Sequence, residues 1–217
     1  MIKGVKICGV SNIETLNYII NHPKHPQFIG FISNYKKSKR YVEFEVLKKL
    51  TSFKNNKISY VSVLVNPNDE ILEKIKDLKL DYYQLYDVDP ERTKLIKNKY
   101  NKKIISSLMI ENKEDVDQYK RYQNISDIIL FDGKGYEKSI GFDHLLLNDI
   151  PKHITIMIAG NIKIDNIPIL KNIDYMIDVS GSLENKDGNK DLQKINFFLN
   201  KIKQYETKKK DSGNWSA

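Results

Sequence analysis

The sequence predicts an α/β fold, a single-domain (βα)8 barrel of the TIM type with a short polar C-terminal tail. Three observations carry that expectation. Short apolar runs alternate with helix-like segments eight times along 217 residues, the rhythm of consecutive βα units. Most of the runs close on a polar residue or glycine, at the strand ends where barrels carry their sites. The first run is followed by Cys8-Gly9-Val10-Ser11-Asn12, which lacks the glycine-rich turn usual in an open nucleotide-binding sheet.

Strands are expected at Val5–Val10, Phe28–Ile32, Tyr60–Val65, Tyr82–Tyr86, Lys103–Leu108, Asp127–Asp132, Thr155–Gly160 and Tyr175–Ser180, all short and rich in Val, Ile, Leu and Tyr. Between them, apolar residues recur three and four apart. Ile71, Leu72, Ile75 and Leu78 form one helical face behind the start signal Asn68-Asp69. Asp89-Pro90 sets proline at the first turn of the next helix. Asp191 opens the last, with Leu192, Ile195, Phe198, Leu199 and Ile202 on its apolar side. Longer loops are expected at Ser33–Tyr41 and Gly133–Gly141. One domain spans residues 1–206, and 207–217 form a polar tail with the only tryptophan, Trp215, exposed or disordered.

A hydrophobic content of 40% and a charged content of 29% describe a soluble globular chain. No apolar stretch reaches the length of a membrane span, and Met1-Ile2-Lys3-Gly4 runs into the first strand with no signal-peptide core. With one cysteine there is no intramolecular disulfide, and the cytoplasm is the expected compartment. The formal charge is +8, of which the tail segment Lys208-Lys209-Lys210-Asp211 holds +2. The rest reads as a lysine-rich solvated surface or as a basic mouth for an anionic metabolite. Nucleic acid is not an expected partner, because aromatics do not interleave with a basic stripe.

A barrel gathers its strand ends around one mouth. Strand one brings Cys8, which by spacing alone is either a core filler or a reactive thiol usable as a base. Lys6, two residues earlier, leaves by the same face; an inward lysine needs a partner, and Asp178 on the adjacent strand eight is in position. Asp132 ends strand six, as a cap for the following helix or as an acid paired with Cys8. Arg40 follows three lysines, Lys36, Lys37 and Lys39; by composition this is a solvated basic loop, and by geometry a planar fork for a carboxylate. After strands seven and eight, Gly160, Ser180, Gly181 and Ser182 offer small residues whose backbone N–H groups can approach a phosphate, although glycine and serine also simply make turns. No HxxxH, CxxC or carboxylate cluster argues for a metal. His22, His25, His144 and His153 are scattered and expected at the surface.

Together these residues resemble the phosphoribosylanthranilate isomerase family. The resemblance rests on Val5-Lys6-Ile7-Cys8-Gly9-Val10, Ser38-Lys39-Arg40-Tyr41, Val63-Leu64-Val65-Asn66, Gln84-Leu85, Leu130-Phe131-Asp132, Phe142-Asp143, Ala159-Gly160-Asn161-Ile162, Asp178-Val179-Ser180 and Gly188-Asn189-Lys190-Asp191, in order along the chain. It implies an Amadori rearrangement of N-(5-phosphoribosyl)anthranilate to the 1-deoxyribulose phosphate, in tryptophan biosynthesis and without a cofactor. It further implies Asp132 as general acid, Cys8 as general base, Arg40 on the anthranilate carboxylate, and Gln84 and Asp178 on the substrate. Gly160, Asn161, Ser180, Gly181 and Ser182 match the phosphate cradle. The expected partner is a small phosphorylated substrate, with a monomer or homodimer as the assembly.

The chain departs from the family pattern at several points. Gln-Leu-His-Gly reads Gln84-Leu85-Tyr86-Asp87; the glycine-rich stretch before Phe-Asp-Trp reads Lys138-Ser139-Ile140-Gly141, with His144 for the tryptophan. The second glycine after strand seven is Asn161, and Ser-Ser-Gly-Val-Glu reads Ser180-Gly181-Ser182-Leu183-Glu184. Two other functions remain: the related histidine-pathway aminoaldose isomerase, which resembles a two-aspartate design where this chain has Cys8, and a non-catalytic barrel that binds anionic partners.

Overall fold

The computed structural model describes residues 1–53, 55–135, 140–168, 170 and 173–207. Within them, eight parallel strands close into a barrel in chain order. They are β1 (Ile2–Cys8), β2 (Phe28–Ile32), β3 (Ser59–Val65), β4 (Tyr82–Tyr86), β5 (Lys103–Ile110), β6 (Ile128–Gly133), β7 (Ile156–Ile158) and β8 (Tyr175–Val179). All eight fall where the apolar runs place them. The main differences are an earlier start for β1 and a β7 of only three residues.

Alternation along each strand divides the chain's apolar residues into two populations. Ile7, Ile29, Leu64, Leu85, Phe131, Ile158 and Ile177 belong to the layer between sheet and helices. Phe28, Val61, Ile105, Leu130, Met157 and Met176 fill the barrel interior. Above them Cys8, Val63 and Tyr86, with Ile32, Val65 and Met109 against them, form a smaller cluster at the strands' C-terminal ends. The interior is thus plugged below and open only at one end.

The helices are α1 (Ile13–Asn21), α2 (Phe44–Thr51), α3 (Asp69–Ile75), α4 (Pro90–Tyr100), α5 (Lys113–Asp117), α6 (Tyr119–Tyr122) and α7 (Leu192–Thr207). Side-chain caps start several of them: Asn12 accepts from Thr15 N, Asn68 from Ile71 N, and Asp89 from Arg92 N. Each satisfies a backbone donor that the first helical turn leaves open. On α7 the expected apolar face is realised, with Ile195, Phe198, Leu199 and Ile202 all buried.

Two of the eight units differ from expectation. Among the described residues, β6 and β7 are followed only by 3-10 turns, His144–Leu147 and Ile164–Asn166. Pro151 and Pro168 stand a few residues beyond them, and proline both lacks the helical donor and restricts the residue before it. Asp132 therefore caps no α-helix; Asp143 caps the short turn, accepting from Leu145 N. His22, expected at the surface, is buried with Nε2 3.1 Å from Asn196 Oδ1 on α7. Lys138, Ser139 and the tail with Trp215 lie outside the described residues. Among those described, no helix is long and apolar enough to cross a membrane.

Candidate active site

Inward alternation delivers Cys8, Tyr86, Asp132 and Asp178 from four different strands to one cavity of about 360 Å³. Arg40, Gly160, Asn161, Ser180, Gly181 and Ser182 line the same space. Of the residues to which the family resemblance gave a site role, all line it except Gln84. That side chain lies two residues deeper on β4, 1% exposed, and donates through Nε2 to Tyr86 Oη at 3.2 Å. It meets the cavity only through that phenol.

The floor is ionic. Register sets Lys6 opposite Asp178, and Lys6 Nζ donates to Asp178 Oδ2 at 2.8 Å with the lysine fully buried. Burial works against the Lys6 charge, but Asp178 and Cys8 outweigh it and hold its pKa above the ordinary lysine value. Asp178 Oδ1 is buried without a hydrogen-bond partner, so one carboxylate oxygen is committed to Lys6 and the other remains an acceptor at the cavity wall. Burial pushes the Cys8 thiol above its ordinary value; Lys6 and, more weakly, Lys190 pull it down, while Asp178 adds to the rise.

Gly30 on β2 explains how a lysine and a thiol share this space. A methyl group there would lie 2.9 Å from Cys8 Sγ and 3.0 Å from Lys6 Nζ. Gly9 acts similarly for Arg40. It takes φ of +76°, and a Cβ would meet Arg40 Cδ at 2.5 Å, so the arginine stem crosses the end of β1 only because glycine is there.

Arg40 is held by a fork of two bonds to Glu184, Nε to Oε1 at 2.5 Å and Nη2 to Oε2 at 2.9 Å. Lys190 Nζ also donates to Glu184 Oε1 at 2.6 Å and to Ser180 O at 3.1 Å. Ser180 Oγ in turn donates to the backbone oxygen of Cys8 at 3.0 Å. Burial raises the Glu184 carboxyl, yet Arg40 and Lys190 overcome it and keep its pKa below the usual range. One network thus ties the loop after β2, the turn after β8 and the end of β1 into a single rim.

The two turns expected to receive phosphate follow the adjacent strands β7 and β8 and line the same cavity. Gly160 and Asn161 are consecutive left-handed residues, with φ of 89° and 53°, a conformation asparagine tolerates better than most side chains. Ser180 leads into a 3-10 turn, Gly181–Leu183, and Ser182 Oγ is buried with no partner. Lys163 also lines the cavity on this side. Among the described residues, no group of three or more His, Cys, Asp or Glu side chains is placed to hold a metal ion.

Sequence reasoning gave no role to Tyr86, Glu184, Lys190 or Gly30. Lys190 stands in a matched stretch and Glu184 ends one that departs from the family pattern, and they meet through an irregular turn whose course no periodicity encodes. Tyr86 carried one signal, its inward position at the end of β4. Its hydroxyl donates to Asp132 Oδ2 at 2.9 Å, a contact between strands that are not neighbours.

Comparison with known proteins agrees with this geometry. A family model described as N-(5'-phosphoribosyl)anthranilate (PRA) isomerase matches residues 5–201. The N-(5'-phosphoribosyl)anthranilate isomerase of Zymomonas mobilis subsp. pomaceae is 33% identical, over 91% of this chain and 97% of that protein. That of Rhizobium rhizogenes is 30% identical, over 91% and 93%. A crystal structure of phosphoribosyl anthranilate isomerase from Thermotoga maritima superposes with a TM-score of 0.81 at 25% identity, covering 94% of this chain and all of that one. With its barrel closed in chain order and residues 5–201 matched, the chain belongs to the N-(5'-phosphoribosyl)anthranilate isomerase family.

Proposed function

We propose that the chain isomerises N-(5'-phosphoribosyl)anthranilate to 1-(2-carboxyphenylamino)-1-deoxyribulose 5-phosphate, as a cytoplasmic enzyme of tryptophan biosynthesis. The observation that carries this reading is the convergence of Cys8 and Asp132 on one cavity whose rim holds both Arg40 and the two small-residue turns. The substrate has matching parts. Its phosphate suits Gly160, Asn161 and Ser180–Ser182, with the unpartnered Ser182 Oγ as a donor. Its aromatic ring suits the apolar wall of Ile32, Val63 and Val65. Its carboxylate suits Arg40, whose plane Glu184 fixes.

Asp132, protonated, gives its proton to the furanose ring oxygen as the C1′–O bond breaks. The anilino nitrogen lone pair forms the C=N bond, leaving a protonated Schiff base and an ionised Asp132. Cys8 as thiolate then removes the C2′ proton, and those electrons close C1′=C2′ to give the enolamine. Tautomerisation moves a proton from the C2′ hydroxyl to C1′ and yields the ketone. Solvent returns the Cys8 proton to Asp132, so the net change is an isomerisation. The positive imine itself acidifies C2′–H, so the route calls for no cofactor. A substrate hydroxyl donates to Asp178 Oδ1 in this reading, supported by the lack of any protein donor to that oxygen, and Gln84 acts from below through Tyr86.

The test follows the loss of phosphoribosylanthranilate fluorescence, with substrate generated in situ. The unmodified chain turns it over, and Cys8→Ser and Asp132→Asn each lose about a hundredfold to ten-thousandfold while keeping the fold. Full activity in either variant removes that residue from the mechanism. No turnover at high enzyme concentration favours a non-catalytic barrel.

A further inference from the structure

Tyr86 stands in the cavity wall without a role in the scheme above. It is buried at the end of β4, its hydroxyl 2.9 Å from Asp132 Oδ2 and accepting from Gln84 Nε2 at 3.2 Å. Gln84, Tyr86 and Asp132 therefore form a directed chain, amide to phenol to carboxyl. Nε2 can only donate, so the phenol accepts from it and is left with its own proton for Asp132.

We propose that Tyr86 is a positioning residue for the proton donor of this site, fixing one oxygen of Asp132 and stabilising the carboxylate left when the other gives up its proton. The proposal rests on the isomerase reading of the cavity. The phenol remains a donor throughout. Burial, with Asp132, Asp178 and Cys8 facing it from β6, β8 and β1, holds its pKa well above the ordinary tyrosine value. Among the described residues, the other titratable groups that share the cavity with Asp132 are Cys8, Tyr35, Arg40, Lys163 and Asp178, and Tyr86 donates to its Oδ2. In the ring-opening step the proton passes from Asp132 to the ring oxygen while Tyr86 keeps its own. A donor to an ionised oxygen favours the charged form, so the bond strengthens as the proton leaves.

The experiment is Tyr86→Phe, which fills the same volume and removes only the hydroxyl. Two quantities are read: the pH profile of kcat/KM, and the carbon-13 titration of the Asp132 side-chain carboxyl in the folded protein. Without the phenol, the Asp132 titration is expected to move up by about one pH unit. The limb of the profile that follows Asp132 moves with it, and KM changes less than threefold. An Asp132 titration that does not move overturns the proposal, whatever happens to kcat, because a packing role alone leaves that proton affinity unchanged. The titration needs no turnover. If the unmodified chain is inactive, the isomerase reading fails, and the titration still decides whether Tyr86 governs Asp132.

Discussion

Cys8 lies among charges that act in opposite directions on its thiol. Burial and Asp178 favour the protonated form, while Lys6 and Lys190 favour the thiolate, and the balance leaves the pKa raised. The thiol therefore predominates at neutral pH, and the thiolate fraction grows about tenfold for each unit of pH below the midpoint. Because Cys8 is the only cysteine, iodoacetamide reads it without interference. The alkylation rate is expected to climb with pH and to level off only above pH 9, the ordinary thiol value. A plateau by pH 7 is the contrary result. The Lys6–Asp178 pair was legible in the sequence because an inward lysine on a first strand has its closest acidic neighbour on the strand that closes the barrel. The Tyr86–Asp132 contact was not, since it spans the barrel interior between β4 and β6, where linear spacing carries no information.

At the level of elements, the strands were legible because a strand buried on both faces reads as a continuous apolar run. The helices after β6 and β7 were the error: apolar spacing suggested full βα units, and among the described residues each segment, with Pro151 or Pro168 just beyond its turn, holds only a 3-10 turn. Capping residues foretold the starts of α3, α4 and α7. α4 shows the clearest case, with Asp89 accepting from Arg92 N ahead of Pro90, and Thr93 Oγ1 donating to Asp89 O at 2.7 Å. Asp89→Ala is expected to lower stability, read as an earlier urea midpoint with an unchanged slope. An unchanged midpoint would mean that the cap contributes little beyond solvent exposure.

Across the whole molecule, the sequence carries a formal charge of +8, and the ligand of its cavity bears both a phosphate and a carboxylate. Long-range attraction of that kind is screened by salt, with a Debye length of about 10 Å at 0.1 M. The value of kcat/KM is therefore expected to fall several-fold between about 0.02 and 0.5 M salt, and kcat to change less. A flat salt profile would assign binding to short contacts at Arg40 and the phosphate turns alone. The charge excess was legible from composition, but its place in the fold was not, because lysines distributed over many helices look alike in sequence.

The ion pair beneath the thiol also orders events in the life of the chain. Lys6 and Asp178 are 172 residues apart, and β1 pairs with both β2 and β8. During synthesis the first strand leaves the ribosome long before its last neighbour exists, and contacts of such separation form slowly. Until β8 arrives, a lysine enclosed in the half-built barrel would have no counter-charge, so β1 gains from staying unsealed. Closure of the interior, and with it the electrostatic surroundings of the thiol, waits on β8. A nascent chain that stops short of Asp178 would carry Cys8 as an ordinary thiol.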